Sequence, residues 1–174
     1  MTGAVTMGAW ALFLSAGVPG VLLATRRWAV WPRLAVPAGV SFPLFVLVHA
    51  VVVLGMAVPG HHGTAAAARW LPEAALPAAC VLFWLPAVGA AAGRHRLGGP
   101  GRCLYLFLAM PLLDLPAVGL IAAGHAAAGL AMIVGMLPVG LIAAGTTWRW
   151  IGDEERDAAA RAPGEPLRPP PGPA

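Results

Sequence analysis

Residues His125 to Asp157 read HAAAGLAMIVGMLPVGLIAAGTTWRWIGDEERD. No side chain from Ala126 to Trp148 ionises, and then Arg149, Trp150, Asp153, Glu154, Glu155, Arg156 and Asp157 arrive together. An apolar run of about 20 residues, at a helical rise of about 1.5 Å, matches the roughly 30 Å of hydrocarbon in a bilayer. Trp and Arg at its end mark the water interface. The stretch is therefore expected to be a transmembrane helix, and the rest of the chain is read with lipid as its solvent.

Composition points the same way. The 174 residues are 59% hydrophobic and 10% charged, whereas soluble domains are roughly a quarter charged. The net charge of +4 comes from arginine, since the chain has no lysine. Those arginines stand between apolar runs, so they report topology. Nucleic-acid binding, which needs a basic face with stacking aromatics, is not expected. No basic residue precedes the first apolar run, so a cleavable signal is not expected either.

Working outward from the quoted stretch, four more spans precede it. They run about Cys103–Gly124, with Pro111 and Pro116 inside; about Leu71–Ala92; about Leu34–Val58, with Pro43 inside; and about Val5–Thr25, stopped by Arg26 and Arg27. Arg26, Arg27 and Arg33, then Arg94, Arg96 and Arg102, then Arg149, Arg156 and Arg161 all fall on one side, and Arg69 alone on the other. Positive charge concentrates on the cytoplasmic side, so the N-terminus is expected outside and the C-terminus in the cytoplasm. The last residues, APGEPLRPPPGPA, cannot bury a core and are expected to be disordered. The expected architecture is an all-α polytopic membrane helix bundle of about five transmembrane helices over residues 1–157, with a cytoplasmic tail over 158–174.

An ionisable residue at mid-membrane costs about 2.5–3.5 kcal/mol and so calls for a partner or a purpose. His49 and Asp114 are the two such residues. Their depths differ by about 6 Å at the helical rise, which kinks at Pro43 and Pro111 would close, so they are expected to face each other. The alternative is that each bonds a neighbouring carbonyl. Soft-ligand residues also recur: His49 and Met56 are seven apart, as are His125 and Met132, with Met136 one turn further. Imidazole and thioether suit copper(I). Seven helical residues span about 10 Å, so any such site must form between helices; packing is the competing role for each methionine.

His61 and His62, beside glycines, offer a loose metal contact or a solvated turn. Glu73 is a further ligand candidate, or a residue favoured at a helix start by the macrodipole. Cys80 and Cys103 lie at different depths and read as small buried residues. The Gly89-to-Gly93 spacing suggests close helix packing. There is no phosphate loop, CxxC, HExxH or nucleophile elbow, and the chain is not expected to be an enzyme.

Four stretches carry a resemblance: FWLPAVG (Phe83 to Gly89), CLYLFLAMP (Cys103 to Pro111), AGLAMIVGMLPVGLIAAGTTWRWIGDEER (Ala128 to Arg156) and LVHAVVV (Leu47 to Val53). Together they resemble the CtaG family of cytochrome c oxidase assembly factors, with His49 on the family's span histidine. Where the family carries an Asp-Gln-Gln run, this chain reads Gly124-His125-Ala126, and Arg69 and Glu73 stand at positions of family histidines. The family has about seven spans. The resemblance implies a multi-pass protein of the bacterial inner (plasma) membrane, with the lipid bilayer and cytochrome c oxidase subunits as partners and copper as the metal handled.

On that reading His49 is the buried ligand, and His61, His62, His125 and Met132 are outer contacts. Two other classes compete. A membrane scaffold or interaction protein would bind no metal. A small transporter would use Asp114 and His49, although no inverted repeat links the first two and last two spans.

Overall fold

The computed structural model describes residues 2–28, 30–34, 36–57, 66–89 and 97–161, and of residues 2, 56–57 and 66–73 the backbone alone. Among the described residues the chain is all helical. Helix α1 (Thr2–Leu12) passes through a π-helical turn (Phe13–Gly17) into α2 (Val18–Ala24), forming one continuous rod. A single helical turn, α3 (Trp31–Leu34), leads to α4 (Ala38–Ala57). Then follow α5 (Ala66–Ala87), α6 (Gly99–Ala122) and α7 (Ala126–Arg161).

Four of these stretches are long and apolar enough to cross a membrane: Gly3–Ala24, Ala38–Gly55, Gly99–Ala122 and Ala126–Arg161. The expected third span is helix α5, set about five residues earlier in the chain, with Ala74–Ala87 as its apolar part. Its stop signal is Gly89, whose φ of 73° lies in the left-handed region and ends the helix. Gly89 also packs closely on α6, where a methyl group on it would sit 2.7 Å from the Arg102 guanidinium, and Gly93 lies outside the described residues. Helix α7 continues beyond Asp157 to Arg161, with Arg156 pairing back to Asp153 and Arg161 to Asp157 on its exposed surface.

The bundle is inside-out relative to a soluble protein. Leu47, Val51, Leu104, Leu115, Val134 and Leu141 are each at least 60% exposed, while Ser15, Ser41 and His49 are at most 2% exposed. An outer surface of large aliphatic side chains around a polar-dotted interior is stable when the solvent is hydrocarbon.

Helices α1 and α7 run parallel and touch at backbone distance. A methyl group on Gly135 would sit 2.6 Å from the Ala11 Cβ and 2.8 Å from the Gly8 carbonyl oxygen. Without a Cβ there, the backbones approach closely, which is how helices associate where no hydrophobic effect drives them together. Ser15 Oγ donates to the Gly135 carbonyl at 2.6 Å, bonding the same two helices.

Helices α6 and α7 form an antiparallel hairpin. Gly124, with φ 87°, lets its own N–H bond the Ile121 carbonyl at 3.0 Å while His125 N–H bonds that of Leu120 at 2.9 Å. This is a Schellman stop. The His125 carbonyl then accepts from Ala128 and Gly129, so the same residue closes one helix and starts the next.

The middle of the bundle is an aromatic ladder. Tyr105 stacks on Phe83 at 4.9 Å, Phe83 lies tilted against Phe45 at 4.8 Å, and Phe45 meets the His49 ring at 5.8 Å. The Tyr105 hydroxyl donates to the Phe83 carbonyl at 2.9 Å and lies 3.3 Å from Ser41 Oγ. This ladder fixes α4, α5 and α6 around the ring of His49.

Candidate functional site: an intramembrane cavity at His49

Ser41, Phe45, His49 and Val53 follow each other at four-residue intervals on α4, so they share one helix face, and all four are buried. Pro43 lies on the exposed opposite side. The ladder above therefore holds the His49 ring from below, and the ring is 2% exposed. Neither of its nitrogens, Nδ1 or Nε2, has a hydrogen-bond partner among the described residues. The Leu113 main chain on α6 lies nearby without reaching hydrogen-bond geometry. A buried imidazole nitrogen without a partner is costly, and the groups beside the ring that could meet its nitrogens are the Leu113 main chain and whatever enters the adjoining cavity.

The ring borders a partly open cavity of about 520 Å³ between α1, α4, α5 and α7. The other lining residues whose side chains carry a donor atom are Met7, Met132, Met136 and Thr6. The rest of the lining is apolar, with Trp10, Leu14 and Val52 among it, and no carboxylate or arginine reaches it among the described residues.

The donors stand at one depth. Met7, Met132 and His49 are five, six and eight residues from Thr2, Ala126 and Ala57, the ends of their helices on the His125 side. That is about 8–12 Å along the helix axes. On α7, Met132 and Met136 are one turn apart on the face that also carries Gly135, so the contact with Gly8 and Ala11 brings Met7 to the same wall.

Of the residues expected as metal contacts, the structure brings His49 and Met132 together. His125 stands exposed at the α6–α7 turn, seven residues before Met132, and does not line the cavity. His61 and His62 lie outside the described residues, and for Met56 and Glu73 the side chains do. The expected pairing of His49 with Asp114 is not formed. Asp114 is half-buried and lines a separate small pocket of about 30 Å³ between α6 and α7, with Met110 and Leu113. Met136 is common to both linings, so the two residues look toward it from different sides. The approach expected from kinks at Pro43 and Pro111 did not account for direction: Asp114 turns to α7 and His49 to α1.

Cys80 and Cys103 are both buried and free, as expected, and Cys80 Sγ donates to the Leu14 carbonyl at 3.4 Å. No group of three or more His, Cys, Asp and Glu side chains converges among the described residues. Among the described residues, the soft donors that could join His49 around a metal here are the methionines.

Met7 is the residue that sequence reasoning missed. In the observed helices it lies five residues from the start of α1, as Met132 lies six from the start of α7, but the expected first span began at Val5 and put Met7 nearer the surface. Attention to the seven-residue His–Met spacing within single helices passed over a methionine with no histidine on its own helix.

These features define a polytopic helical bundle of membrane type with a donor-lined cavity near one end. Family models, curated proteins and solved structures were all compared with the chain, and none matches.

Proposed function

We propose that this chain is an integral membrane assembly factor for cytochrome c oxidase that holds copper(I) in the cavity at His49 and passes it on from the outer half of the bundle. The observation that carries the metal part is the buried His49 ring, whose nitrogens have no hydrogen-bond partner among the described residues, beside a cavity lined also by Met132 and Met136. Imidazole and thioether are soft, neutral ligands suited to copper(I). The ion would supply the missing partner of His49 without placing a second charged side chain in the membrane.

The oxidase as recipient rests on the resemblance of the Phe83, Cys103 and Ala128 stretches to the CtaG family. In this reading α5 is the third of five crossings, the N-terminus is outside and the C-terminus cytoplasmic in a bacterial plasma membrane. The arginine distribution supports that orientation, which puts the cavity on the outer side. The protein acts by binding and handing over, not by catalysing a reaction.

The test is made in the source cell. Deletion of the chain should lower the copper content of the purified oxidase, and wild type but not His49→Ala should restore it. Full copper loading without the chain would reject the assembly role.

A further inference from the structure

We infer that Met7, Met132 and Met136 act with His49 as a four-donor site that selects soft monovalent cations, copper(I) or silver(I), and excludes divalent ions. The inference rests on the copper reading above and goes beyond it in naming the donor set, the added ligand on α1 and the basis of selectivity.

The first argument is convergence. The four side chains come from α1, α4 and α7 and line one cavity, Met7, Met132 and His49 at similar depth and Met136 one turn deeper than Met132. The close contact of Gly8 with Ala131 and of Gly8 and Ala11 with Gly135 holds α1 against α7 at the level where Met7 and Met132 line the cavity. At about 520 Å³ the cavity is much larger than a single ion. Methionine, unbranched with three rotatable bonds, can swing its sulfur inward across such a space. His49 cannot move in the same way, because Phe45 packs against it.

The second argument is charge. All four donors are neutral, and no carboxylate or thiolate lines the cavity among the described residues. The solvation cost of an ion in a low-dielectric site grows with the square of its charge, so a divalent ion costs roughly four times as much as a monovalent one. Among the described residues, zinc and copper(II) would meet none of the anionic ligands that normally offset that cost. A monovalent soft ion meets polarizable sulfur instead.

The test uses the full chain in detergent under reducing conditions. Silver(I) and copper(I) affinities are measured by competition with a chromophoric chelator for wild type, Met7→Leu and His49→Ala, and the copper-loaded forms are examined by X-ray absorption. Leu nearly preserves the volume of Met, so apo-protein melting temperature should be unchanged in Met7→Leu. The expected result is a roughly tenfold or greater loss of copper(I) affinity in Met7→Leu, with one sulfur fewer in the copper shell. Zinc(II) in excess should leave bound silver(I) in place. If His49→Ala abolishes copper binding while Met7→Leu alters neither affinity nor the sulfur shell, the donor set is wrong and the copper reading stands. Displacement of silver(I) by zinc(II) would overturn the selectivity. Failure of the wild type to bind either monovalent ion would remove both this inference and the metal reading beneath it.

Discussion

The indole N–H of Trp84 on α5 donates to the main-chain oxygen of Leu14 at 2.9 Å, inside the π-helical turn of the first span. That carbonyl is available because Val18 N–H bonds Phe13 O, five residues back, and the next position is Pro19, which has no N–H. The π turn thus absorbs the proline and aims an unused acceptor at α5. Trp84→Phe keeps an aromatic ring but removes the donor. It should destabilise the protein by about 1–3 kcal/mol, the cost of leaving a buried carbonyl under-satisfied, read as a lower melting temperature in detergent. An unchanged melting temperature would show that Cys80 Sγ, 3.4 Å from the same oxygen, suffices alone.

Gly135→Ala should separate α1 from α7, since the added methyl meets backbone atoms of Gly8 and Leu12 as well as the Ala11 side chain. A loss of about 1–3 kcal/mol is expected from such overpacking. Gly145→Ala on the same helix meets nothing within 4 Å and should be neutral or stabilising by up to about 1 kcal/mol. Thermal melts of the two variants side by side check the contrast.

Gly124→Ala forces a side chain into the left-handed conformation at φ 87°. A destabilisation of about 1 kcal/mol is expected, with Gly124→Asn milder because Asn tolerates that region better. Equal melting temperatures for all three proteins would contradict the Schellman reading of the α6–α7 turn.

Much of the fold was legible in the sequence because lipid imposes coarse rules: apolar runs of fixed length, closed by Trp and Arg. What was not legible was the direction of each helix face. His49 and Asp114 were matched by depth along their helices, but rotation about the axis decides contact, and it is set by small-residue approaches such as Gly135 to Ala11. Similarly, Met7 entered the site through a packing contact between the first and last spans, which spacing within either span does not encode. The early end of α5 comes at Gly89, whose φ of 73° stops the helix as well as letting Arg102 of α6 come close.

Cys80 is fully buried and Cys103 nearly so. A thiol-specific maleimide should label Cys80 slowly in the folded detergent-solubilised protein and rapidly after denaturation, read by mass spectrometry. Rapid labelling of Cys80 in the folded state would contradict the packing of α5 against the π turn.

The central claim is that His49 holds copper(I) in the membrane cavity, and the direct test is the copper(I) stoichiometry of the purified chain under reducing conditions. The account predicts about one tightly held copper per wild-type chain, lost in His49→Ala while the variant keeps its helical circular dichroism. A wild-type protein that binds no copper, or a His49→Ala variant that binds as much as wild type, would contradict it.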